Sequence, residues 1–453
     1  MRRPVIRMAF LAVLAAVVPG APEGRDEAPF RDVFSLMEEV DRRSEPGCWP
    51  GFFPRSIPAA IFDGRDTYLF GFGRPPEGFA PVRGRPDVFV FPGQHEAVIA
   101  NRRVRLDGTW IATTIPGFGP SGNHRSKTLA DIAAVVLHEK FHVFQTNRHP
   151  GWRPNDLVLL TYPLDRSDTL ARRRLELEAF RRAAASPVAH EAAAWARTGL
   201  DMRRERLAGL APAEARYERE IALLEGLAQY VEHRAAGRAG PDDALADDLA
   251  PRGVRLLGYV EGCWIGLLLD RFDPAWKERL EAEDSVGLED LLVSALGGEE
   301  GKIAEFAPAE LVEAEALARM AIEARAAERR KAEREFFTKL GYRIDVRPAG
   351  GDLRFEMFDP FSIEVLGEKR ILHPAQVSCR TRSGRIHARW RPCLTEVDAR
   401  GRIVRMIVTG IRRKPGLKSG WNAPLTLEGD GIRIELGKGL VRFRENIVEI
   451  GIE

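Results

Sequence analysis

Residues 132–144 constrain the fold most, because this stretch is apolar at almost every position and yet contains two imidazoles and a carboxylate. The apolar pattern predicts a helix from residue 129 to about residue 147. A helix that is apolar on all sides is buried, and a buried polar side chain without a partner costs about 1–3 kcal/mol. We therefore expect His138, Glu139 and His142 to have partners in the interior, and a metal ion would provide them.

The spacing of these three residues is typical of zinc coordination. Because His138 and His142 are four residues apart, both rings project from one face of the helix and can bind one Zn²⁺ ion through nitrogen. Glu139 is rotated off that face, so it is placed to act as a general base toward water and not as a ligand. The alternative interpretation is a pair of hydrogen-bonded core histidines beside a surface glutamate.

A zinc site of this kind requires a third protein ligand, and the same helix does not supply one. A third histidine six residues after His142 would extend the motif, but Arg148 occupies that position. His149 lies one residue beyond that position. A glutamate further along the chain is therefore the better candidate.

Residues 225–230 resemble the second zinc helix of the gluzincin metallopeptidases, which often reads E-G-x-A-x-Y. Glu225 stands at the position of the ligand in that pattern. The resemblance implies that Glu225 is the third Zn²⁺ ligand. Gly226 independently predicts the close approach of another helix, since glycine inside a helix costs about 1 kcal/mol relative to alanine.

Other residues of the same helix leave alternatives open. Glu218, Gln229 and Glu232 lie on one helical stripe with Glu225, and together they would form a solvated face if Glu225 is not a ligand. Glu218 is then the substitute ligand. We also expect Gln229 to orient a ligand imidazole through a hydrogen bond.

Residues 258–267 resemble a further gluzincin element, in which a tyrosine followed by x-x-Gly stabilises the oxyanion of hydrolysis. The resemblance implies this role for Tyr259. The alternative is a core aromatic side chain, and His233 is the second candidate for the role. The resemblance covers about residues 57–271, and it implies that residues 108–115 form the cleft edge to which an extended peptide can pair.

The hydrophobic patterns along the chain predict an α+β fold. Short apolar runs between Gly, Pro and Asp residues predict a small mixed sheet, at residues 57–62, 67–72, 87–91, 97–100 and 109–115. Thr128 and Asp131 then form a capping box for the first of several helices. The later helices are predicted at residues 168–185, 188–207, 213–236, 256–272, 288–296 and 309–339. Alternation after residue 341 predicts antiparallel strands.

These patterns also predict the domain limits. The catalytic domain would consist of a sheet part at residues 26–127 and a mainly helical, zincin-like part at residues 128–340. A β-sandwich-like C-terminal domain would follow at residues 341–453.

The N-terminal residues are typical of an export signal, predicted at residues 1–21. Three arginines precede an apolar run at residues 8–18, and Gly20 and Ala21 follow it. Because this run is shorter than the roughly 20 residues that span a bilayer, we expect cleavage and no stable membrane insertion afterwards. No cysteine adjoins the run, so lipid attachment is not expected. The predicted location is secreted or periplasmic.

The charge balance restricts the partners. The chain has 68 Lys and Arg against 66 Asp and Glu, a formal net charge of +2. We therefore expect no nucleic-acid partner, because there is no overall positive charge to attract one. The 4 cysteines are too few for a disulfide framework, and a bridge between Cys379 and Cys393 is left open.

Together these features predict an exported zinc metallopeptidase that acts on a peptide or protein substrate. Zn²⁺ would be held by His138, His142 and Glu225, with Glu139 and Tyr259 as catalytic residues. The G-x-M-E-N string of gluzincin aminopeptidases is absent, so exopeptidase action has no support. The alternative is a catalytically silent exported binding or scaffold protein on a metallopeptidase-like frame.

Overall fold

The computed structural model describes most of the chain after residue 31. The described stretches are residues 32–44, 48–116, 128–241, 251–283, 285–298, 301–348, 353–367, 369–398 and 400–452, with backbone alone at 251 and 252. The predicted signal peptide, residues 1–21, lies outside the described residues.

Short strands rich in apolar residues form one six-stranded sheet ahead of the first long helix. They are β1 (Ala59–Phe62), β2 (Thr67–Phe70), β3 (Ala80–Val82), β4 (Arg85–Phe91), β5 (Arg102–Leu106) and β6 (Thr109–Thr114). The strand order is β3-β4-β2-β1-β6-β5, and β1 pairs with β6 in parallel while the other neighbours are antiparallel. Helix α1 (Val33–Arg43) covers one face of this sheet.

Two details of the predicted sheet were wrong. Residues 97–100 form turns and bends and not a strand. Strands β3 and β5 were not predicted, because each is short and has few apolar residues: the apolar side chains of β5 are Val104 and Leu106 alone.

Helices dominate the middle of the chain, as the periodicity predicts. They are α2 (Leu129–Arg148), α3 (Ser167–Ala185), α4 (Ala189–Ala208), α5 (Pro212–Ile221), α6 (Leu227–Ala236), α7 (Pro251–Phe272), α8 (Trp276–Ala282), α9 (Leu288–Ala295) and α10 (Pro308–Thr338). The predicted capping box of Thr128 and Asp131 is present at the start of α2. Between α5 and α6, residues Ala222–Gly226 form a π-helical turn that was not predicted. None of the helices in the described stretches has the length and apolar character that crossing a bilayer requires.

The C-terminal region consists of two β-sheets, as the alternation predicts. The strands are β7 (Tyr342–Pro348), β8 (Arg354–Phe358), β9 (Glu364–Gly367), β10 (Arg370–His373), β11 (Gln376–Thr381), β12 (Gly384–Arg389), β13 (Cys393–Val397), β14 (Ile403–Ile411), β15 (Gly420–Asn422), β16 (Leu425–Gly429), β17 (Ile432–Leu436), β18 (Gly439–Arg444) and β19 (Ile447–Ile452). One sheet has the order β15-β18-β19-β7-β14-β13-β10-β9 and the other β16-β17-β12-β11-β8. Neighbouring strands are antiparallel except for β7 and β19.

A shared hydrophobic core lies between these two sheets and continues into the helical region. Ile344 of β7 and Val377 of β11 belong to one buried cluster with Leu159, Tyr217 and Val254, which come from the helical region. The β-rich region therefore packs against the beginning of α7. The predicted α+β fold class is confirmed, while the domain limits remain a prediction. All four cysteines are free thiols.

Helix α7 and the π-helical turn approach each other through glycines. A Cβ atom added to Gly226 would lie 2.5 Å from Gly262 Cα and 2.6 Å from the Gly258 carbonyl oxygen. The obstacle is backbone, which cannot rotate away as a side chain can. The close approach that Gly226 predicted is confirmed, and Gly258 and Gly262 of α7 are its counterparts.

We expect Gly226→Ala to destabilise the protein by about 1–3 kcal/mol, because the added methyl group forces the two backbones apart. This penalty exceeds the gain of about 1 kcal/mol in helix propensity. The free energy of unfolding from urea titration measures the change. Gly151→Ala is the matched control, since nothing lies within 4 Å of the Cβ position there. Equal stability of the two variants would contradict the role of this contact.

Buried arginines fix the opposite face of α7. Arg206 of α4 is fully buried and donates hydrogen bonds to Glu176 at 2.8 Å, to Glu261 at 2.9 Å and to Glu218 at 2.5 Å. Glu218 therefore belongs to this ionic network and is not a substitute metal ligand. Because Glu261 follows Tyr259 by two residues along α7, the network determines which side of the helix turns toward the predicted site.

We expect Arg206→Met to destabilise the helical region by about 3–5 kcal/mol, because the substitution leaves three buried carboxylates without their shared cation. Urea unfolding followed by far-ultraviolet circular dichroism measures the loss. Arg204→Met on the same helix is the control, since that side chain is 59% exposed and pairs with Asp201 on the surface, where ion pairs contribute about 0–1 kcal/mol. Similar losses in the two variants would show that the network does not carry this stability.

Candidate metal centre

The three predicted ligands lie together in the interior. His138 and His142 project from α2, and Glu225 projects from the π-helical turn; one ligand atom of each lies within 4.8 Å of the others. Glu225 Oε2 is 3.0 Å from His142 Nε2 and 3.7 Å from His138 Nε2. All three residues are at most 5% exposed. The structure thus brings together the residues that the sequence assigned to the metal.

Gln145 connects the two segments that carry these side chains. Its Oε1 atom lies 2.9 Å from His142 Nδ1, and its Nε2 atom donates to the carbonyl oxygens of Leu223 and Leu224 at 3.1 and 2.9 Å. Those carbonyls belong to the π-helical turn, a feature that is frequent at functional sites. Gln145 therefore orients His142 and at the same time fixes the backbone next to Glu225.

Glu232 lies within ion-pair distance of the other imidazole. Its Oε2 atom lies 3.1 Å from His138 Nδ1, so that His138, like His142, presents Nε2 to the centre of the cluster. Burial on its own lowers the pKa of His138, but the carboxylates of Glu225 and Glu232 raise it to about 10. This environment strongly favours positive charge at the cluster.

The predicted orienting residue was therefore wrong. Among the residues that the structure describes, Gln145, Glu225 and Glu232 contact the ring nitrogens of His138 and His142, and Gln229 does not. The sequence argument assigned no role to Gln145, and it placed Glu232 on a stripe that could form a solvated face. A signal for Gln145 existed, because a glutamine three residues after His142 lies on the same side of an apolar helix.

Glu139 differs from the other carboxylates of the site. It is buried, and its Oε2 atom has no hydrogen-bond partner among the described residues. Burial raises the pKa of Glu139, although His138 and His142 partly oppose this shift. A buried carboxylate with an unpaired oxygen and a raised pKa is suited to accept a proton.

Arg255 of α7 completes the surroundings of Glu225. Arg255 donates from Nη2 to Glu225 Oε1 and from Nη1 to Asp156 at 2.6 Å. Arg255 thereby helps to hold the pKa of Glu225 well below its usual range although burial opposes this, and His142 contributes most to the lowering. The sequence interpretation missed Arg255, although a cation four residues before Tyr259 on a largely apolar helix was a usable signal.

The predicted oxyanion residue lies beside the cluster. The ring of Tyr259 stacks on His138 with a centroid distance of 5.8 Å and an interplanar angle of 16°. Burial, together with the neighbouring Glu225 carboxylate, raises the pKa of Tyr259 well above its usual value. The hydroxyl group therefore remains a hydrogen-bond donor at neutral pH. His233, the second candidate, is buried near the end of α6.

His149 is not part of the cluster. Its Nε2 atom lies 3.0 Å from Glu281 Oε1, and its ring stacks on Trp152 with a centroid distance of 3.9 Å. This histidine is thus a core residue with its own partners, which agrees with its exclusion as the third ligand.

The strand predicted as the cleft edge has neighbours on both sides. β6 lies between β1 and β5, so its main chain is already paired and the prediction for residues 108–115 was wrong. The edge strand on this side of the sheet is β5, which also contacts α2. A peptide that adds to the sheet beside α2 would therefore pair with β5.

The donor set fits a zinc ion. Two imidazole nitrogens and a carboxylate oxygen are ligands that zinc prefers, and hydrogen-bonding partners for the other ring nitrogens are typical of zinc sites. Comparisons with protein-family models, with curated proteins and with solved structures found no match to this chain.

We expect Gln145→Met to weaken Zn²⁺ binding about 10–100-fold, because the change frees the His142 ring and the carbonyls of the π-helical turn. Glu232→Gln should have a comparable effect through His138. Titration against a competing chelator measures the affinities. Gln229→Met is the matched control, since it makes the same chemical change without touching a ligand ring. A loss in that control as large as the loss in Gln145→Met would contradict the assignment.

Proposed function

We propose that this protein is a zinc-dependent metallopeptidase of the gluzincin type. The observation that carries the proposal is the buried convergence of two imidazole nitrogens and a carboxylate oxygen within 4.8 Å, next to a second buried carboxylate with an unpaired oxygen. The first set is suited to a metal ion and the second to proton transfer, and hydrolysis by a metal-activated water requires both.

His138, His142 and Glu225 would hold the ion. When bound, Zn²⁺ supplies Lewis acidity, which polarises a carbonyl group and makes water nucleophilic near neutral pH. The partners of the ligands support this assignment, because Gln145 and Glu232 take the Nδ1 atoms and leave both Nε2 atoms for the metal.

Glu139 would move the proton. Its unpaired Oε2 would accept a proton from the attacking water and later donate it to the leaving nitrogen. The raised pKa of Glu139, caused first by burial, brings the carboxylate closer to the range in which it can both accept and release a proton. Hydrogen bonds from neighbouring groups would restrict this exchange, and Oε2 has none among the residues described.

Tyr259 and Arg255 would serve different purposes. The Tyr259 hydroxyl, which stays protonated, would donate a hydrogen bond to the oxyanion as negative charge develops. Arg255 would position Glu225 by occupying Oε1, so that Oε2 faces the imidazoles.

Export remains part of the proposal. The predicted signal at residues 1–21 supports a secreted or periplasmic location, where the substrate would be an extracytoplasmic peptide or protein. Sequencing the N-terminus of the protein recovered after expression tests whether the segment is removed.

We expect Glu139→Gln to lower peptide hydrolysis by about 10²–10⁴-fold, because it removes the proton acceptor and keeps the size of the side chain. The assay uses internally quenched peptides or casein with zinc-loaded protein. Zinc content should remain the same, since Glu139 is not a ligand. Glu323→Gln on the exposed side of α10 is the control.

Two results would overturn the proposal. A protein that binds one zinc ion and loses no activity in Glu139→Gln does not use this mechanism. A zinc-loaded protein that cleaves no peptide in a broad library would favour the catalytically silent binding protein instead.

A further inference from the structure

Arg255 joins the carboxylate of the candidate metal centre to a second carboxylate outside it. Its guanidinium donates from Nη2 to Glu225 Oε1 and from Nη1 to Asp156 Oδ1, the latter at 2.6 Å. The Arg255 side chain is 11% exposed, so both ion pairs are largely shielded from solvent. Charges attract more strongly where water is excluded, and a planar guanidinium that holds two acceptors has little freedom to rotate. Glu225 is therefore held by a side chain that is itself fixed by Asp156.

Asp156 has a further anchor besides Arg255. It begins a short 3₁₀ turn, Asp156–Leu160, between α2 and α3, and its Oδ1 atom also accepts a hydrogen bond from the Tyr217 hydroxyl at 3.0 Å. Tyr217 and Leu159 belong to the same buried cluster as the strands of the C-terminal region. The position of Asp156 is thus determined by the core that the helical and β-rich regions share.

Phe361 of the C-terminal region contacts the same guanidinium. It lies between β8 and β9, and the Arg255 Cζ atom is 5.3 Å from the centre of its ring. A cation over an aromatic face at this distance is attracted by the ring, and the attraction increases where water is excluded. The main chain of Phe361 is also held, since its amide donates to Asp359 Oδ1 at 3.0 Å. Arg255 is therefore held from two separate parts of the chain.

The two oxygens of Glu225 consequently face different partners. Oε1 accepts from Arg255, while Oε2 lies 3.0 Å from His142 Nε2 and 3.7 Å from His138 Nε2. A carboxylate whose second oxygen is occupied offers a single oxygen to a metal ion. The charge of Asp156 matters as well, because a guanidinium near a zinc ion repels it unless a further carboxylate balances that charge. The contacts of Arg255 thus affect both the direction and the electrostatics of the third ligand.

We propose that Asp156 and Phe361 are positioning residues that set the zinc affinity of the site through Arg255, so that the β-rich C-terminal region takes part in metal binding. This proposal rests on the proposed function only in taking zinc as the ion of the buried cluster. The action is indirect. Loss of either contact frees the guanidinium to leave Glu225 Oε1, and the released carboxylate then rotates away from the imidazoles.

We expect Asp156→Asn to weaken Zn²⁺ binding about 10–100-fold, the range typical of groups that orient a metal ligand. Phe361→Leu should weaken it about 3–10-fold, because a cation–π contact is the weaker interaction. Phe361→Tyr keeps the aromatic face and should retain the original affinity. The metal-free protein is titrated with zinc alone against a competing chelator. Asp156 is 34% exposed, so Asp156→Asn remains a test if Phe361→Leu does not fold.

Two matched controls make the same chemical changes elsewhere. Asp165→Asn removes a carboxylate that pairs with Arg329 at 2.6 Å, and Phe358→Leu removes an aromatic ring of the β-rich region that contacts Phe355. Both controls should leave the zinc affinity unchanged. A decrease in the controls as large as that in the two test variants would overturn the proposal.

A double-mutant cycle separates positioning from a general effect on the fold. In an Arg255→Met background the link to Glu225 is already removed, so adding Asp156→Asn should produce little further decrease in zinc affinity. A general structural effect would add to the loss instead. The visible absorption of the Co²⁺-substituted protein gives a second readout, because its bands report the number and geometry of the ligands. These bands should change in Asp156→Asn and stay the same in the controls.

Zinc binding and catalysis are measured separately, so the two proposals can fail separately. Unchanged zinc affinity in Asp156→Asn, or a loss that adds fully to that of Arg255→Met, overturns the positioning role even if the enzyme cleaves peptides. Unchanged affinity in Phe361→Leu overturns the part of the β-rich region. A zinc-loaded protein that cleaves no peptide overturns the proposed function, while an affinity that depends on Asp156 and Phe361 still supports the positioning role. A protein that binds no zinc overturns both.

Discussion

The backbone contact between Gly226 and Gly262 is the constraint on which the site depends. It allows α7 to approach the π-helical turn so closely that Arg255 reaches Glu225 and the ring of Tyr259 lies against His138. A side chain at either glycine would separate the helices by the thickness of a methyl group or more. The contact buries little apolar surface itself. Its effect is to bring Arg255 and Tyr259 close to Glu225 and His138.

Charge in the interior is distributed differently on the two sides of α7. On one side, Glu261 and the arginines of α4 form a network in which the charged groups have partners. On the other side, Glu139 keeps an oxygen that has no hydrogen-bond partner among the residues that the structure describes. Satisfied networks stabilise and fix the fold, whereas unsatisfied buried groups cost free energy and persist where a metal ion or a substrate completes them. This difference in charge pairing supports a functional site on the α2 side of the helix.

The β-rich C-terminal region belongs to the surroundings of the site. Phe361 lies over the Arg255 guanidinium at 5.3 Å, and the core between the two sheets extends to Val254 of α7. Arg255 is thus fixed between Glu225, Asp156 and an aromatic ring from a distant part of the chain. No periodicity in α7 indicates such a contact, because it depends on how the two regions pack.

The sequence by itself predicted most of the helices, the α+β class and the three residues of the buried cluster, although α8 and the π-helical turn were not predicted. Long apolar patterns with a period of 3.6 residues and a capping box carry much local information, and the spacing of His138 and His142 follows from helix geometry alone. Tertiary structure decided which polar residues are buried and what they touch. Glu218 and Glu232 occupy the same stripe in sequence, yet one is held by Arg206 and the other by His138. Likewise Gln145 and not Gln229 contacts an imidazole of the cluster, and β5 and not β6 is the edge strand. These outcomes depend on contacts between residues that are far apart in the chain. A local sequence pattern does not specify which distant residues come into contact.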